Sequence, residues 1–343
     1  MFTEKKDLEL QIALERLDQK RHELSKKCTI GYGAACAPRP ADYVEQDPAQ
    51  GPYNLTWADE IRKEDDAVNA ILHERLMRLP KPATAGLPPI PSDKVWVWGG
   101  PTSKWGGSMA DDTLIRGADY FHAENVVYVY GPTNEKMLSL HSKYKKMLCQ
   151  VNANCRTEGA LCGSEEENAE CLSKLSLKFP NIEGAMCDDY GTGSTHILLP
   201  ERYEKIYRGV KKYNPRLKVY GVVYEHELKS KDFQLIQPYI DVVNFWLWYK
   251  KSILEIDEHL EECRRNFPGK PVVLGIFIHD YGCSDTGNLP EMLIYELEKA
   301  REFLAKGWIE GIIILGDREI KKWPETAGAV RDYLLNQRQH TVG

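Results

Sequence analysis

Acidic residues directly follow several apolar segments in the last three-quarters of the sequence. They are Asp188, Asp189, Glu225, Asp280 and Asp317. Carboxyl groups that are held close together raise one another's pKa, so that one can stay protonated while its neighbour is ionised. Cleavage of a glycosidic bond requires such a pair. We therefore expect Asp189 to act as nucleophile or base and Glu225 as proton donor, with Asp280 able to replace either.

Aromatic and polar residues occupy the same positions after apolar segments. The set from which we expect substrate contacts is Asp188, Trp98, Tyr130, Asn152, Tyr190, Trp246, Trp248, His279, Tyr281 and Asp317. Apolar faces of sugar rings stack on aromatic side chains, while Tyr and Trp can still form hydrogen bonds at their edges. Because neighbouring strand residues point to opposite sides, only one of Asp188 and Asp189 should face this site. Alternatively, both carboxyl groups cap the following glycine-containing turn.

Eight apolar segments alternate with amphipathic ones and must position these side chains. They are residues 95–98, 126–130, 147–151, 182–187, 219–224, 241–245, 272–278 and 309–315. They recur on average about every 30 residues, as parallel βαβ units require. In a (β/α)8 barrel the active site lies at the C-terminal ends of the strands. The pattern therefore predicts an α/β protein with a (β/α)8 TIM barrel. The alternative, an open doubly wound sheet, usually has a glycine-rich phosphate turn that residues 98–101 lack.

The helices that we predict fall into two groups. Those of the barrel are residues 108–122, 132–147, 164–179, 200–213, 231–239, 253–267, 290–306 and 324–336. Two more, residues 3–27 and 59–79, come before the barrel, and an irregular segment at 28–58 separates them. We therefore predict two parts, an N-terminal helical extension at 1–92 that packs on a catalytic barrel at 93–343. We also expect the irregular segment to border the site.

Taken together, these features resemble the glycoside-hydrolase type of (β/α)8 barrel. The segment IEGAMCDD at 182–189 is similar to the apolar-glycine-apolar-acid fourth strand of several carbohydrate-active barrels. The resemblance extends over residues 95–335 as architecture, and it implies hydrolysis of O-glycosyl bonds. The chitinase-type D-x-x-D-x-D-x-E motif is absent, as is the Asn-Glu pair of the large retaining clan. The resemblance therefore assigns no role to an individual acid.

Composition restricts the partners. The formal charge of −6 argues against a nucleic-acid partner, which usually requires a basic face. No apolar run is long enough to span a membrane, and the N-terminus has no signal-peptide core. We expect a cytoplasmic protein that acts on a small molecule or an oligosaccharide, although a secreted protein whose signal peptide has been removed stays open. The nine cysteines, including a cluster at 149–171, lack the spacing of a structural zinc site. We expect free thiols and no cofactor.

Two other functions remain open. The first is a metal-dependent sugar isomerase or epimerase, with a divalent metal bound by residues drawn from Glu225, His226, Glu227, His279, Asp280 and Asp317. Against it, the first strand carries no ligand and the sequence contains no H-x-H motif. The second is a barrel that binds carbohydrate without cleaving it. The sugar, the linkage, the stereochemistry and the oligomeric state are not predicted.

Overall fold

Eight parallel strands close into a barrel, which confirms the fold class predicted from the sequence. The computed structural model describes residues 4–25, 28–30, 38–40, 56–102, 107–131, 133–151, 164–188, 200–230, 233–280 and 287–339. Two short strands, β1 (Cys28–Ile30) and β2 (Pro38–Pro40), pair antiparallel before the barrel begins. The barrel strands are β3 (Val95–Gly99), β4 (Asn125–Tyr128), β5 (Lys146–Gln150), β6 (Ile182–Cys187), β7 (Lys218–Tyr224), β8 (Val242–Trp246), β9 (Val272–Phe277) and β10 (Gly311–Leu315). They are adjacent in chain order, and β10 pairs with β3 to close the ring.

The helices surround this barrel. They are α1 (Glu4–Ser25), α2 (Thr56–Leu76), α3 (Thr113–Phe121), α4 (Glu135–Leu140), α5 (Glu165–Leu175), α6 (Pro200–Lys211), α7 (Phe233–Ile236), α8 (Ile256–Asn266), α9 (Pro290–Ala305), α10 (Glu319–Lys322) and α11 (Pro324–Gln339). A 3-10 turn, Lys250–Glu255, comes immediately before α8. Among the described residues, no helix combines the length and apolar character that crossing a bilayer requires.

The barrel strands are buried on both faces, because one face fills the barrel and the other packs under the helices. Alternate residues therefore belong to two different clusters. In β3, Val95 and Val97 pack with the helices, whereas Trp96 and Trp98 point inward. The inward set is Trp96, Trp98, Val127, Val129, Tyr130, Leu148, Met186, Tyr220, Val222, Tyr224, Val242, Trp246, Val273, Phe277, Ile313 and Leu315. These side chains make the barrel interior a packed core.

Several helix boundaries differ from the sequence predictions. The second barrel helix, predicted over 132–147, is the short α4, which Asn134 caps by accepting a hydrogen bond from the N–H of Met137 at 3.0 Å. Its last part is instead a turn that leads into β5, because Lys146 already pairs with β4. The helix predicted from residue 164 begins there, since Ser164 and Glu167 exchange hydrogen bonds in a capping box at the start of α5. The predicted irregular segment contains β1 and β2, and most of its other residues lie outside the described ranges.

The N-terminal helix α2 packs against the barrel layer. Val68 and Leu72 are fully buried in the same cluster as barrel residues. His73 Nδ1 lies 2.7 Å from Glu291 Oε1 in the first turn of α9. After α2 the chain continues along α9, where Arg301 Nε donates to the Pro88 carbonyl at 2.8 Å. The extension is therefore built into the wall of helices around the barrel.

Candidate active site at the C-terminal ends of the strands

We call the C-terminal ends of the strands the mouth of the barrel. A layer of buried aromatic side chains lies just below the mouth. The rings of Trp98 and Trp246 meet edge to face at 6.0 Å, and Phe277 lies 4.4 Å from Trp246. Trp98 Nε1 donates to the Tyr130 hydroxyl at 3.2 Å. Gly275 makes this packing possible, because a Cβ there would lie 1.9 Å from the Trp246 ring. We name Trp98, Tyr130, Trp246 and Phe277 the aromatic floor.

The direct substrate contacts that we expected for three floor residues do not match their burial. Trp98, Tyr130 and Trp246 expose 3%, 6% and 2% of their surfaces. Their edges also contact other protein atoms, as Trp246 Nε1 donates to Asn244 Oδ1 at 2.8 Å. Tyr130 has a left-handed backbone, with φ of 68°. Such a conformation in a bulky residue is costly unless its surroundings hold it in place. The floor thus supports the mouth from below.

A second aromatic group, more exposed, stands at the ends of β7 and β8. Tyr224 and His226 stack with their rings nearly parallel at 5.6 Å. Trp248 meets Tyr224 edge to face at 4.9 Å, and Tyr249 lies 5.7 Å from His226. The His226 side chain is 38% exposed, and Trp248 and Tyr249 are half-buried. We name these four residues the aromatic platform. Tyr224 is buried beneath the other three, whose partly exposed rings suit the apolar face of a sugar.

Glu225 does not have the environment of a proton donor. It follows β7, and its carboxylate accepts hydrogen bonds from the N–H of Trp248 at 2.7 Å, the N–H of Tyr249 at 3.0 Å and the Ser252 hydroxyl at 2.9 Å. Burial raises the pKa of Glu225, but hydrogen bonds from His226 and these three groups outweigh burial and lower it below its ordinary value. A proton donor usually needs a raised pKa, so this environment favours other roles for Glu225, and the proton-donor role stays a prediction.

Asp280 follows β9 by three residues and takes part in a buried ion cluster. Its Oδ2 lies 3.6 Å from Lys250 Nζ, and both side chains are fully buried. Lys250 also donates to Asp65 Oδ1 at 2.5 Å and to Asn69 Oδ1 at 2.8 Å, both of them on α2. A buried ammonium group is stable only where carboxylates and other acceptors surround it in this way. Asp280 is therefore better placed to stabilise the buried Lys250 ammonium group than to donate a proton to a substrate.

His279 lies beside Asp280 in a second buried group. Its Nδ1 is 2.7 Å from Glu319 Oε2, and Arg318 Nε donates to Glu319 Oε1 at 3.1 Å. Burial raises the pKa of Glu319, but the charge and hydrogen bond of His279, followed by the charge of Arg318, outweigh it and lower that pKa to about 2. The Arg318 guanidinium in turn lies 5.5 Å from the centre of the Tyr130 ring. A chain of polar contacts thus links β9 and β10 to the aromatic floor.

Asp317 follows β10 by two residues, and its carboxyl group lies between the end of β3 and α3. Its Oδ2 accepts hydrogen bonds from the N–H of Gly100 at 3.0 Å and from the Thr113 hydroxyl at 3.2 Å. A Cβ at Gly99 would lie 2.2 Å from its carboxyl carbon, and one at Gly117 of α3 would lie 2.8 Å from its Cβ. In this position the carboxyl group joins a strand to a helix, and the substrate contact that we expected for Asp317 stays a prediction.

The end of β6 carries the remaining predicted acids. Asp188 is half-buried at the end of β6. It lies in the turn after the strand, which ends at Cys187, so the alternation of side chains within β6 does not set the direction of either acid. Four other predicted site residues, Asp189, Tyr190, Asn152 and Tyr281, lie outside the described residues. Their proposed roles stay predictions.

Sequence reasoning missed Lys250 and Asp65 and assigned no role to Arg318 or Glu319. Asp65 carried a usable signal, because it precedes Val68 and Leu72 at helical spacing and therefore falls on the apolar face of α2. Lys250 is the first charged residue after an aromatic run, and Glu319 follows Asp317 by two positions. Within the described part of the chain, no three His, Cys, Asp or Glu side chains come together as metal ligands.

Comparison with known proteins shows similarity in fold. No protein-family model matches the chain, and no curated protein matches its sequence. A candidate α-L-fucosidase structure from Bacteroides thetaiotaomicron superimposes with a TM-score of 0.50 at 11% identity, over 75% of this chain and 98% of that one. A β-D-glucuronidase from Dictyoglomus thermophilum gives 0.47 at 12% identity, over 71% and 50%. A β-glucuronidase from Ruminococcus gnavus gives 0.47 at 8%, over 72% and 50%.

The superposition on the α-L-fucosidase structure agrees with the closed barrel of eight parallel strands, the architecture predicted from the sequence. The chain spans about half the length of the two glucuronidases. At such low identity the likeness is one of fold, and fold does not imply function. The chemistry must therefore be argued from the residues of the mouth.

Proposed function

We propose that the mouth of this barrel binds a carbohydrate and that the protein hydrolyses a glycosidic bond there. The observation that carries the proposal is the aromatic platform, in which Trp248, Tyr249 and His226 stand half-exposed at the ends of two adjacent strands. Rings in this setting offer apolar surface with polar edges, which matches the two kinds of surface on a sugar. The active sites of TIM-barrel enzymes lie at this end of the barrel.

For the chemistry we propose the adjacent acids after β6. Glu225 and Asp280 are each engaged by other parts of the protein, through three donors of the loop after β8 and through Lys250. Asp188 and Asp189 are consecutive, and two neighbouring carboxyl groups tend to titrate separately, with one protonated and one ionised. We propose that one of them protonates the glycosidic oxygen, which departs with its sugar as the alcohol. The other either activates a water molecule that attacks the anomeric carbon, or attacks that carbon itself and forms a glycosyl ester that water then cleaves.

A carbohydrate-binding barrel without catalysis is the second candidate. Two of the three acids from which we expected catalysis, Glu225 and Asp280, are held in contacts with other protein groups. Such contacts favour a structural role for both acids and therefore favour this candidate. The metal-dependent isomerase would need ligands from outside the described residues. The two leading candidates share the platform and differ only in turnover.

The test combines binding and turnover. Trp248→Ala should weaken binding of an oligosaccharide selected on a glycan array by about tenfold or more, as loss of a ring contact worth about 1.4 kcal/mol would do. Trp308→Ala, at a half-buried tryptophan that stacks on Phe303 of α9, is the matched control and should leave binding unchanged.

Asp188→Asn and Asp189→Asn should abolish hydrolysis and retain binding. Binding without turnover in the unmodified protein would favour the second candidate, and no binding at all would rule out both.

A further inference from the structure

The loop that presents part of the aromatic platform is held by two separate sets of buried charged groups. This loop, residues 248–252, is called the platform loop below. In the first set the Glu225 carboxylate receives the N–H groups of Trp248 and Tyr249 and the hydroxyl of Ser252, at 2.7, 3.0 and 2.9 Å. The hydrogen-bonded carboxylate therefore fixes the backbone of both platform residues that the loop contributes.

In the second set the loop is anchored through Lys250. The Lys250 side chain has no exposed surface, and its ammonium nitrogen lies 2.5 Å from Asp65 Oδ1 and 3.6 Å from Asp280 Oδ2. Asn69 completes the arrangement on α2, since its Oδ1 accepts from Lys250 at 2.8 Å while its Nδ2 donates to Asp65 Oδ2 at 3.0 Å. A buried ammonium group is stable only with such partners, because removing it from water is costly.

The nearest of these partners comes from the N-terminal extension. Asp65 exposes 2% of its surface, and Val68 and Leu72 on the same face of α2 are fully buried against the barrel layer. The position of Asp65 is therefore fixed by packing before any substrate arrives. Rigid support of this kind is what holds a binding residue within the tolerance that recognition requires.

We infer that α2 contributes to the active site through Asp65. Asp65 contacts Lys250 and thereby acts as a positioning residue for the platform loop. The purpose of that loop rests on the proposed function, whereas the coupling between Asp65 and the loop does not. Asp65 itself is buried on α2 and acts through the lysine. When the Asp65 charge is removed, Lys250 loses its nearest carboxylate, and the loop gains conformations in which the ammonium group reaches water.

The test compares Asp65→Asn with Asp66→Asn in the full chain. Asp66 is the exposed neighbour on the same helix, so its variant removes the same charge without touching Lys250. Hydrogen exchange of the Trp248 and Tyr249 amides, measured without any sugar, should speed up by about tenfold or more in Asp65→Asn, because their local opening becomes easier. It should stay at the wild-type rate in Asp66→Asn. Asn69→Ala, which leaves both charges in place, should give a smaller increase and serves if Asp65→Asn fails to fold.

A second readout uses the oligosaccharide selected on the glycan array. Asp65→Asn should raise KM or Kd for it by about tenfold with a smaller change in kcat, because the variant disturbs positioning and leaves the acids after β6 in place. Faster amide exchange in a protein that binds no sugar would support the coupling and contradict only the proposed function. Unchanged exchange of both amides in folded Asp65→Asn and in Asn69→Ala would overturn the inference.

Discussion

Two acids in the segment after β10 have pKa values displaced in opposite directions. Asp317 is half-buried and Glu319 is fully buried. Burial raises the pKa of Asp317 to about 6, because the hydrogen bonds from Gly100 and Thr113 and the charge of Arg318 only partly offset it. For Glu319, His279 and Arg318 outweigh burial and lower the pKa to about 2. Both residues follow the same strand, so their different pKa values come from their different surroundings, above all from the charged groups that contact Glu319.

Replacing Asp317 by Asn should change how stability depends on pH. A carboxyl whose pKa rises from 3.8 to about 6 on folding favours the folded state most at low pH. The wild-type protein should therefore lose roughly 3 kcal/mol from this group as pH rises from 4 to 6 and above. Asp317→Asn keeps an oxygen that can accept from Gly100 and has no such loss. In urea unfolding its stability relative to wild type should increase between pH 4 and pH 7, and parallel curves would contradict the assignment.

Glu319→Gln should behave in the opposite way. A carboxyl whose pKa falls from 4.5 to about 2 on folding stabilises the protein above pH 4.5, and this contribution disappears as pH falls towards 2. We expect the variant to unfold more easily at pH 7 by roughly 3 kcal/mol and to lose the steep acid side of the stability profile. The control is Glu310→Gln at an exposed acid before β10. Equal stability of the two variants in urea at pH 7 would disprove the ion-pair account.

At the scale of elements, the sequence predicted which segments are strands but not where their terminal side chains point. The eight strands could be recognised because each is apolar and followed by an amphipathic helix. The directions of Glu225 and Asp317 could not, because each depends on a partner far along the chain, the Trp248 and Tyr249 amides in one case and Gly100 with Thr113 in the other. The sequence thus predicted that these acids follow the strands. The contacts of each acid depend on the backbone of distant loops, which the sequence did not predict.

Gly275 of β9 provides an element-scale prediction. A methyl group there would lie 1.9 Å from the Trp246 ring, which is already packed between Trp98 and Phe277. Gly275→Ala should therefore lower the free energy of unfolding by roughly 1–3 kcal/mol, as overpacking of a core usually does. It should also change the near-ultraviolet circular dichroism of the aromatic floor.

The matched control is Gly328→Ala in α11, where the nearest atom to the added Cβ would be 3.8 Å away. In a helix this change should be neutral or stabilising by up to about 1 kcal/mol. If Gly275→Ala matched the wild type in urea unfolding and in its spectrum, the close packing of β8 and β9 at the floor would be wrong.

At the scale of the whole molecule, the extension and the barrel share one core. Leu17 of α1 and Leu72 of α2 belong to the same buried cluster as the outward-facing residues of the barrel strands. Three polar links add to this core, namely Asp65 with Lys250, His73 with Glu291, and Arg301 with the Pro88 carbonyl. The predicted boundary near residue 92 therefore divides the sequence, but the residues on its two sides pack into one continuous core.

This shared core predicts cooperative unfolding. We expect differential scanning calorimetry of the full chain to give one transition whose calorimetric and van't Hoff enthalpies agree, because the extension cannot detach without exposing apolar surface of the barrel layer. Asp65→Asn should shift the single transition to lower temperature without splitting it. Two separate transitions in the unmodified protein would show that the extension is an independent unit.

The central claim is that a carbohydrate binds at the mouth of the barrel, against the aromatic platform. A crystal structure of the protein with the oligosaccharide selected on a glycan array tests it most directly. We predict a sugar ring stacked on Trp248, with the carboxyl group of Asp188 or Asp189 beside the glycosidic oxygen or the anomeric carbon. A sugar bound away from the platform, or at the N-terminal ends of the strands, would contradict the account.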